Sequence, residues 1–233
     1  MVTGKDLPRF DEQAAGPRFP PVIHSRALND RQQVAMLRSL QMKHGLLIHG
    51  PPGSGKGTQS VKLAEKFNLT HLSTGDMLRA EIAAETELGQ KMSSIMSKGE
   101  LVPDEVVIEM IAKKIDSAKG TSGFLFDGFP RTVAQTVALE EMLNDRGMKI
   151  DTMLVLEVEH DELVKRLVIR ADMSGRPDDK DPQVIENRID VYKEKTEPII
   201  NYCRERGLYQ PVNGMGTIDD IFIRLSAHLE KLI

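Results

Sequence analysis

Leu46-Leu47-Ile48-His49-Gly50-Pro51-Pro52-Gly53-Ser54-Gly55-Lys56-Gly57-Thr58 is the stretch that decides how this chain folds. An apolar run of strand length enters a glycine-rich turn, and a helical pattern follows directly. The glycines let successive backbone N–H groups converge on an anion, where a Cβ would block the turn. The helix adds its positive N-terminal end, and Lys56 adds a full charge that reaches the outer phosphates. The match to G-x-x-x-x-G-K-[ST] is incomplete at its last position. There Gly57 stands, and Thr58 supplies the hydroxyl one residue late. An ordinary glycine turn is the alternative, and the number of fitting positions behind a strand speaks against it. The stretch binds a nucleoside triphosphate or something close to one.

The chain has 233 residues, enough for one large α/β domain with small insertions. A net charge of −4 argues against a general nucleic-acid binder, which carries a basic excess. No apolar run approaches bilayer length, so no membrane partner is expected. Cys203 is the only cysteine, which leaves neither an internal disulfide nor a cysteine zinc cluster. A reducing, cytoplasmic compartment fits best.

From Gly45 onward strand and helix patterns alternate. Strands are predicted at 45–49, 70–72, 123–126, 153–158 and 209–212. Helices are predicted at 57–67, 76–84, 87–97, 104–118, 132–145, 161–169, 182–206 and 218–232. Apolar strands linked by helices imply a parallel sheet covered on both faces. Residues 73–102 read as an insertion of two polar helices and a glycine turn. Residues 170–181 hold no apolar side chain beyond Ala171 and Met173 and read as a surface excursion. Residues 1–43 form an extension: an arm rich in Pro, Gly and Arg, then a short helix capped by Asn29 or Asp30 and running to Leu40. The arm lacks a signal-peptide core, and its acids Asp6, Asp11 and Glu12 weaken a transit-peptide reading.

A phosphoryl-transfer site needs several cations around the transferring group. Arg79 lies just past a strand end, in Ser73-Thr74-Gly75-Asp76-Met77-Leu78-Arg79. Arg131 closes Asp127-Gly128-Phe129-Pro130-Arg131, directly after another strand. In a parallel sheet both strand ends line the ligand crevice beside the phosphate loop. Arg166, Arg170, Arg176 and Arg188 lie before, within and after the charged excursion. Each arginine alone is usually a solvated surface charge. Two immediately after strands that lead to one crevice are harder to dismiss, and the planar guanidinium suits phosphate oxygens. Asp127 ends an apolar strand, where a carboxylate needs a partner. A cap or an ion pair with Arg131 is one reading, and a magnesium partner, directly or through water, is the other. Asp178 and Asp179 are either solvated or fasten a closed lid.

Five ordered motifs resemble those of the adenylate kinase family. They are Gly50 to Gln59, Ser73 to Arg79, Gly99 to Glu105, Gly123 to Thr132 with Gln135, and Ser174 to Asp179. The resemblance spans residues 45–233, and Gly57 is the family's own form of the loop. It implies the P-loop NTPase three-layer α/β fold, with a five-stranded parallel sheet. It places an NMP-binding helical insertion at 73–102 and a short lid at 169–181 within a kinase domain over 44–233. The implied activity is ATP + AMP to 2 ADP, Mg-dependent and reversible, which balances adenine nucleotides. Gly53, Ser54, Gly55, Lys56, Gly57 and Thr58 would wrap ATP, with Arg166 and the turn at Gly216 on either side of its base. AMP would lie against Thr74, Arg79, Glu100, Leu101, Val102, Gly128, Phe129, Pro130, Arg131 and Gln135. Lys56, Arg79 and Arg131 would act on the transferring phosphoryl group. Arg170, Arg176 and Arg188 would join them from the lid side, with Arg176 and Arg188 also reaching AMP. Magnesium would sit on phosphate oxygens and water, with Asp127 orienting that water. The short lid and single cysteine imply no zinc, and short-lid relatives tend to be monomers. Ala171 follows Arg170 where those relatives usually have glycine.

Two other readings stand beside this one. UMP/CMP kinases share the fold and chemistry, but usually carry alanine at the position of Thr74 and asparagines at those of Thr132 and Gln135. The glutamine amide both donates to and accepts from the adenine edge. A non-catalytic nucleotide-binding protein would be marked by loss of Lys56, Arg79 or Arg131, and all three are present.

Overall fold

Five short apolar segments meet in one sheet: β1 (His44–His49), β2 (Leu69–Ser73), β3 (Gly123–Asp127), β4 (Lys149–Glu157) and β5 (Tyr209–Asn213). Their order is β2-β3-β1-β4-β5, and every pairing is parallel. The structure is a computed structural model that describes residues 43–174 and 181–233, with side chains described through Asp172 in the first segment. The expectations for the N-terminal arm and its short helix, and for residues 175–180 of the lid, lie outside the described residues.

Parallel strands need long crossovers, and helices supply them. α1 (Lys56–Phe67) joins β1 to β2. α2 (Thr74–Ala83), α3 (Glu87–Ser97) and α4 (Asp104–Ser117) lie between β2 and β3, and α5 (Val133–Asn144) leads to β4. α6 (His160–Ser174), α7 (Pro182–Val191), a π-helical turn (Tyr192–Thr196) and α8 (Pro198–Glu205) precede β5, and α9 (Ile218–Leu229) follows it. The strands are apolar at nearly every position because both faces are covered. Leu47, Phe124, Phe126, Met153 and Val155 pack on one face with residues of α4, α5 and α8. Leu46, Ile48, Leu125, Leu154 and Leu156 pack on the other with Leu63 of α1 and Ile221, Leu225 and Leu229 of α9.

The register sets the C-terminal strand ends level: Asp127 lies beside both Ile48 and Ser73, and His49 beside Val155. The opposite end owes its tightness to glycine. A Cβ on Gly123 would lie 2.4 Å from the His44 carbonyl oxygen, and one on Gly45 would lie 2.5 Å from that of Lys149.

Two expected elements differ. The helix expected over 182–206 is broken, because Pro198 has no N–H to donate and its ring displaces the carbonyl of a preceding turn. The π-helical turn absorbs the misfit, with the Glu197 N–H bonded to the Tyr192 carbonyl five residues back. The helix expected over 161–169 continues to Ser174, so the charged excursion begins as helix. Gly175 and Pro177 are the first breakers in that stretch, and Ala171 is buried within the helix.

Candidate active site

The turn between β1 and α1 takes its shape from glycine. Gly53 has φ +85, and a Cβ there would strike the Leu163 carbonyl oxygen at 2.7 Å. Gly55 caps α1 with φ +93, left-handed geometry that L side chains rarely adopt. Lys56 bends back over the loop and donates to the Gly50 carbonyl at 2.5 Å, the Pro51 carbonyl at 2.9 Å and Ser54 Oγ at 3.3 Å. Loss of solvent around the ammonium pulls its pKa down to about 7. Asp127 opposes that shift, while Arg131, Arg170 and Arg188 add to it. Gly57 opens α1 beside Asp127, whose Oδ2 stands 3.6 Å from where a Gly57 Cβ would be.

Across the crevice the β3 end carries Asp127 and then a turn through Gly128, at φ +71, and a cis Phe129-Pro130 bond. The Gly128 carbonyl accepts from Thr74 Oγ1 and from Arg131 Nε, both at 2.8 Å, which ties the start of α2 to this turn. Arg79 folds against Asp76 one turn earlier at 2.5 Å. Ser73 Oγ caps α2 by accepting from the Asp76 N–H. Gln135 is buried in α5, with its Oε1 accepting from the Arg131 N–H at 2.7 Å and its Nε2 donating to Asp104 at 2.6 Å.

Arg166 reaches from α6 to the Gly214 carbonyl at 3.0 Å and pairs with Glu162 at 2.7 Å. Gly216, at φ +108, lies in the same turn before α9.

Many of these groups surround one cavity of about 780 Å³, while the buried Gln135 stands behind its lining. Gly53, Gly55, Lys56, Gly57 and Thr58 line its floor, with Asp127, Gly128, Pro130 and Arg131 beside them. Arg79, Leu101, Arg166, Arg170, Arg188 and Gly216 also line it, and Arg188 lies close against Gly99. Not every expected residue presents its side chain there. Phe129 is fully buried with its ring 6.4 Å from that of Phe126, so only its backbone serves the turn. Val102 is buried in the core cluster that also holds Leu78 and Met92, and Glu100 is exposed outside the lining. Ser54 and Thr74 are buried and act through loop and turn hydrogen bonds. Arg176 lies outside the described residues.

Among the lining residues that sequence reading missed are His49, Tyr192 and Thr196. His49 is 3% exposed, and burial with the neighbouring Lys56 and Arg131 charges drives its pKa down to about 3, against a hydrogen bond to the Pro130 backbone. A histidine closing an apolar strand was the available signal. Thr196 Oγ1 donates to the Arg131 carbonyl at 3.1 Å, which no local pattern announces. Asp127 has His71 Nε2 at 3.3 Å from its Oδ2. Among the described residues there is no cluster of three or more His, Cys, Asp or Glu able to hold a metal ion. No described helix is long and apolar enough to cross a membrane.

The family model for adenylate kinase matches residues 48–208. An adenylate kinase of Phocaeicola vulgatus is 47% identical over 187 residues, covering 80% of this chain and 98% of the relative. One from Parabacteroides distasonis is 48% identical over 180 residues, 77% of this chain and 94% of its own length. One from Maricaulis maris is 47% identical over 186 residues, 80% and 98% respectively. With the phosphate loop, the arginines around it and these matches in agreement, the chain belongs to the adenylate kinase family.

Proposed function

We propose that the protein transfers the terminal phosphoryl group of ATP to AMP, giving two ADP, and so balances adenine nucleotides in the cytoplasm as a monomer. One observation carries this reading: Lys56 and the arginines at 79, 131, 170 and 188, from five separate places in the chain, face one cavity. Phosphoryl transfer asks little covalent help of a protein. It needs the acceptor oxygen in line, the charge neutralised and water kept out.

The phosphate loop holds the ATP phosphates, and Lys56 leaves the Gly50 and Pro51 carbonyls to bridge the outer ones. Arg166 and the Gly216 turn flank the donor base. AMP lies between the insertion and the Gly128–Arg131 turn, with Gln135 reading its base. Arg79 and Arg131 hold the acceptor phosphate, and Arg170, Arg176 and Arg188 neutralise the group in flight. Asp127 fits magnesium as a single hard oxygen at the mouth of the phosphate loop, which suits an ion held mainly by phosphate oxygens and water. When bound, that ion screens the phosphate charge.

Initial rates of diphosphate formation with Mg-ATP and AMP, UMP, CMP or GMP test the reading. Fast turnover confined to AMP is expected, and a preference for UMP or CMP overturns the acceptor assignment. Lys56→Met and Arg131→Ala should each lower kcat by ~10³-fold or more with the fold intact.

A further inference from the structure

Gln135 sits in a hydrogen-bond arrangement that fixes which way its amide points. Arg131 donates its backbone N–H to Oε1 at 2.7 Å, and a backbone N–H can only donate. Asp104 Oδ1 accepts from Nε2 at 2.6 Å, and a carboxylate can only accept. The other carboxylate oxygen, Oδ2, accepts from Thr132 Oγ1 at 2.9 Å. Thr132 Oγ1 in turn accepts the Gln135 N–H at 3.0 Å and caps α5. Asp104 is therefore held on the residue that starts the helix carrying Gln135. Turned over, the amide would set Nε2 against the Arg131 N–H and Oε1 against the carboxylate. Two hydrogen bonds would become two repulsions.

One N–H and one Oε1 lone pair of Gln135 are left over, and their places are not interchangeable. Adenine presents an amino donor at C6 and an acceptor at N1. A 6-oxo purine presents an acceptor at C6 and a donor at N1, and it needs the amide the other way round. A freely turning glutamine would serve both bases. We propose that Asp104 is a specificity-determining positioning residue, locking the Gln135 amide so that the acceptor site takes 6-amino and refuses 6-oxo purine monophosphates. This rests on the reading that Gln135 faces the acceptor base.

The test compares kcat/KM for AMP and for inosine monophosphate, which differs from AMP only at N1 and C6. It uses the full chain and the variants Asp104→Asn, Asp104→Ala, Asp104→Glu and Gln135→Ala. Asparagine offers either a donor or an acceptor and releases the Asp104 side of the lock. The AMP preference should fall about tenfold or more in Asp104→Asn and Asp104→Ala, the loss expected for a misdirected hydrogen bond. Asp104→Glu, which keeps an acceptor-only group, should retain most of the preference. A lower AMP rate with an unchanged preference makes Asp104 merely structural and overturns the proposal. Failure of both neutral variants to unfold cooperatively does the same. Gln135→Ala separates the two ideas: an unchanged preference in that variant means Gln135 does not read the base at all. A preference lost in Gln135→Ala but kept in Asp104→Asn leaves base reading intact and removes the lock.

Discussion

His49 and Lys56 are two cations by type that the fold keeps from being fully charged. With a folded pKa of about 3 against an ordinary 6.5, the native His49 binds fewer protons than the unfolded chain across that interval. Its contribution to stability is therefore complete above pH 6.5. It falls by ~1.4 kcal/mol per pH unit as the pH drops toward 3. His49→Leu removes this term, so the loss of melting temperature between pH 7 and pH 5 should shrink in the variant. Equal losses in both proteins would place the acid sensitivity elsewhere. Lys56, with a pKa of about 7, is mostly deprotonated at pH 8 while it faces its own loop. Phosphate anions beside it restore the ammonium, so ATP binding at pH 8 should take up ~0.5 to 1 proton. Calorimetry in buffers of different ionisation enthalpy reads that number. Lys56→Met should bring it close to zero, and unchanged uptake would exonerate the lysine.

At the scale of elements, the two ends of the sheet do different work. The C-terminal ends of β1 and β3 deliver the phosphate loop and the Gly128–Arg131 turn, and the β2 end leads into α2 with Arg79. The N-terminal ends meet through Gly45 and Gly123, which sit against neighbouring backbone. Gly123→Ala must push β1 and β3 apart and should cost about 2 kcal/mol of stability. Because the strain arises at the far end of the strands, KM for either nucleotide should stay within about twofold at a temperature where the variant is folded. A denaturation midpoint unchanged from the parent would show that the sheet yields without cost. The π-helical turn before Pro198 belongs to the same scale: it carries Tyr192 and Thr196 into the cavity lining, where an unbroken helix would turn them differently.

For the whole molecule, residues 44–233 contain the sheet, the core clusters on its two faces and the cavity. Matches of 187 residues cover 98% of the Phocaeicola vulgatus relative, and the family model begins at residue 48. On this basis we propose that the domain stands without its N-terminal extension. A chain lacking residues 1–41 should unfold cooperatively near the parent's melting temperature and keep its phosphoryl-transfer rate. A truncated chain that is unfolded or slow would make the extension part of the working enzyme.

Much of this was legible from the sequence, because the deciding signals are local. Glycines ahead of Lys56, apolar runs of strand length and arginines just past strand ends depend on chain geometry over a few residues. They yielded the parallel sheet, the glycine-rich loop and, with Arg79 and Arg131, part of the cavity lining. Tertiary structure decided what depends on distant partners. It put Phe129 and Val102 in the core, since side-chain direction after a turn follows the packing around it. It neutralised His49 by enclosing it, and it carried the helix through Arg170 and Ala171 to Ser174. It brought Asp104 to Gln135 across 31 positions of sequence. No periodicity encodes that pairing, because a hydrogen bond between two helix starts exists only once the sheet has set them side by side.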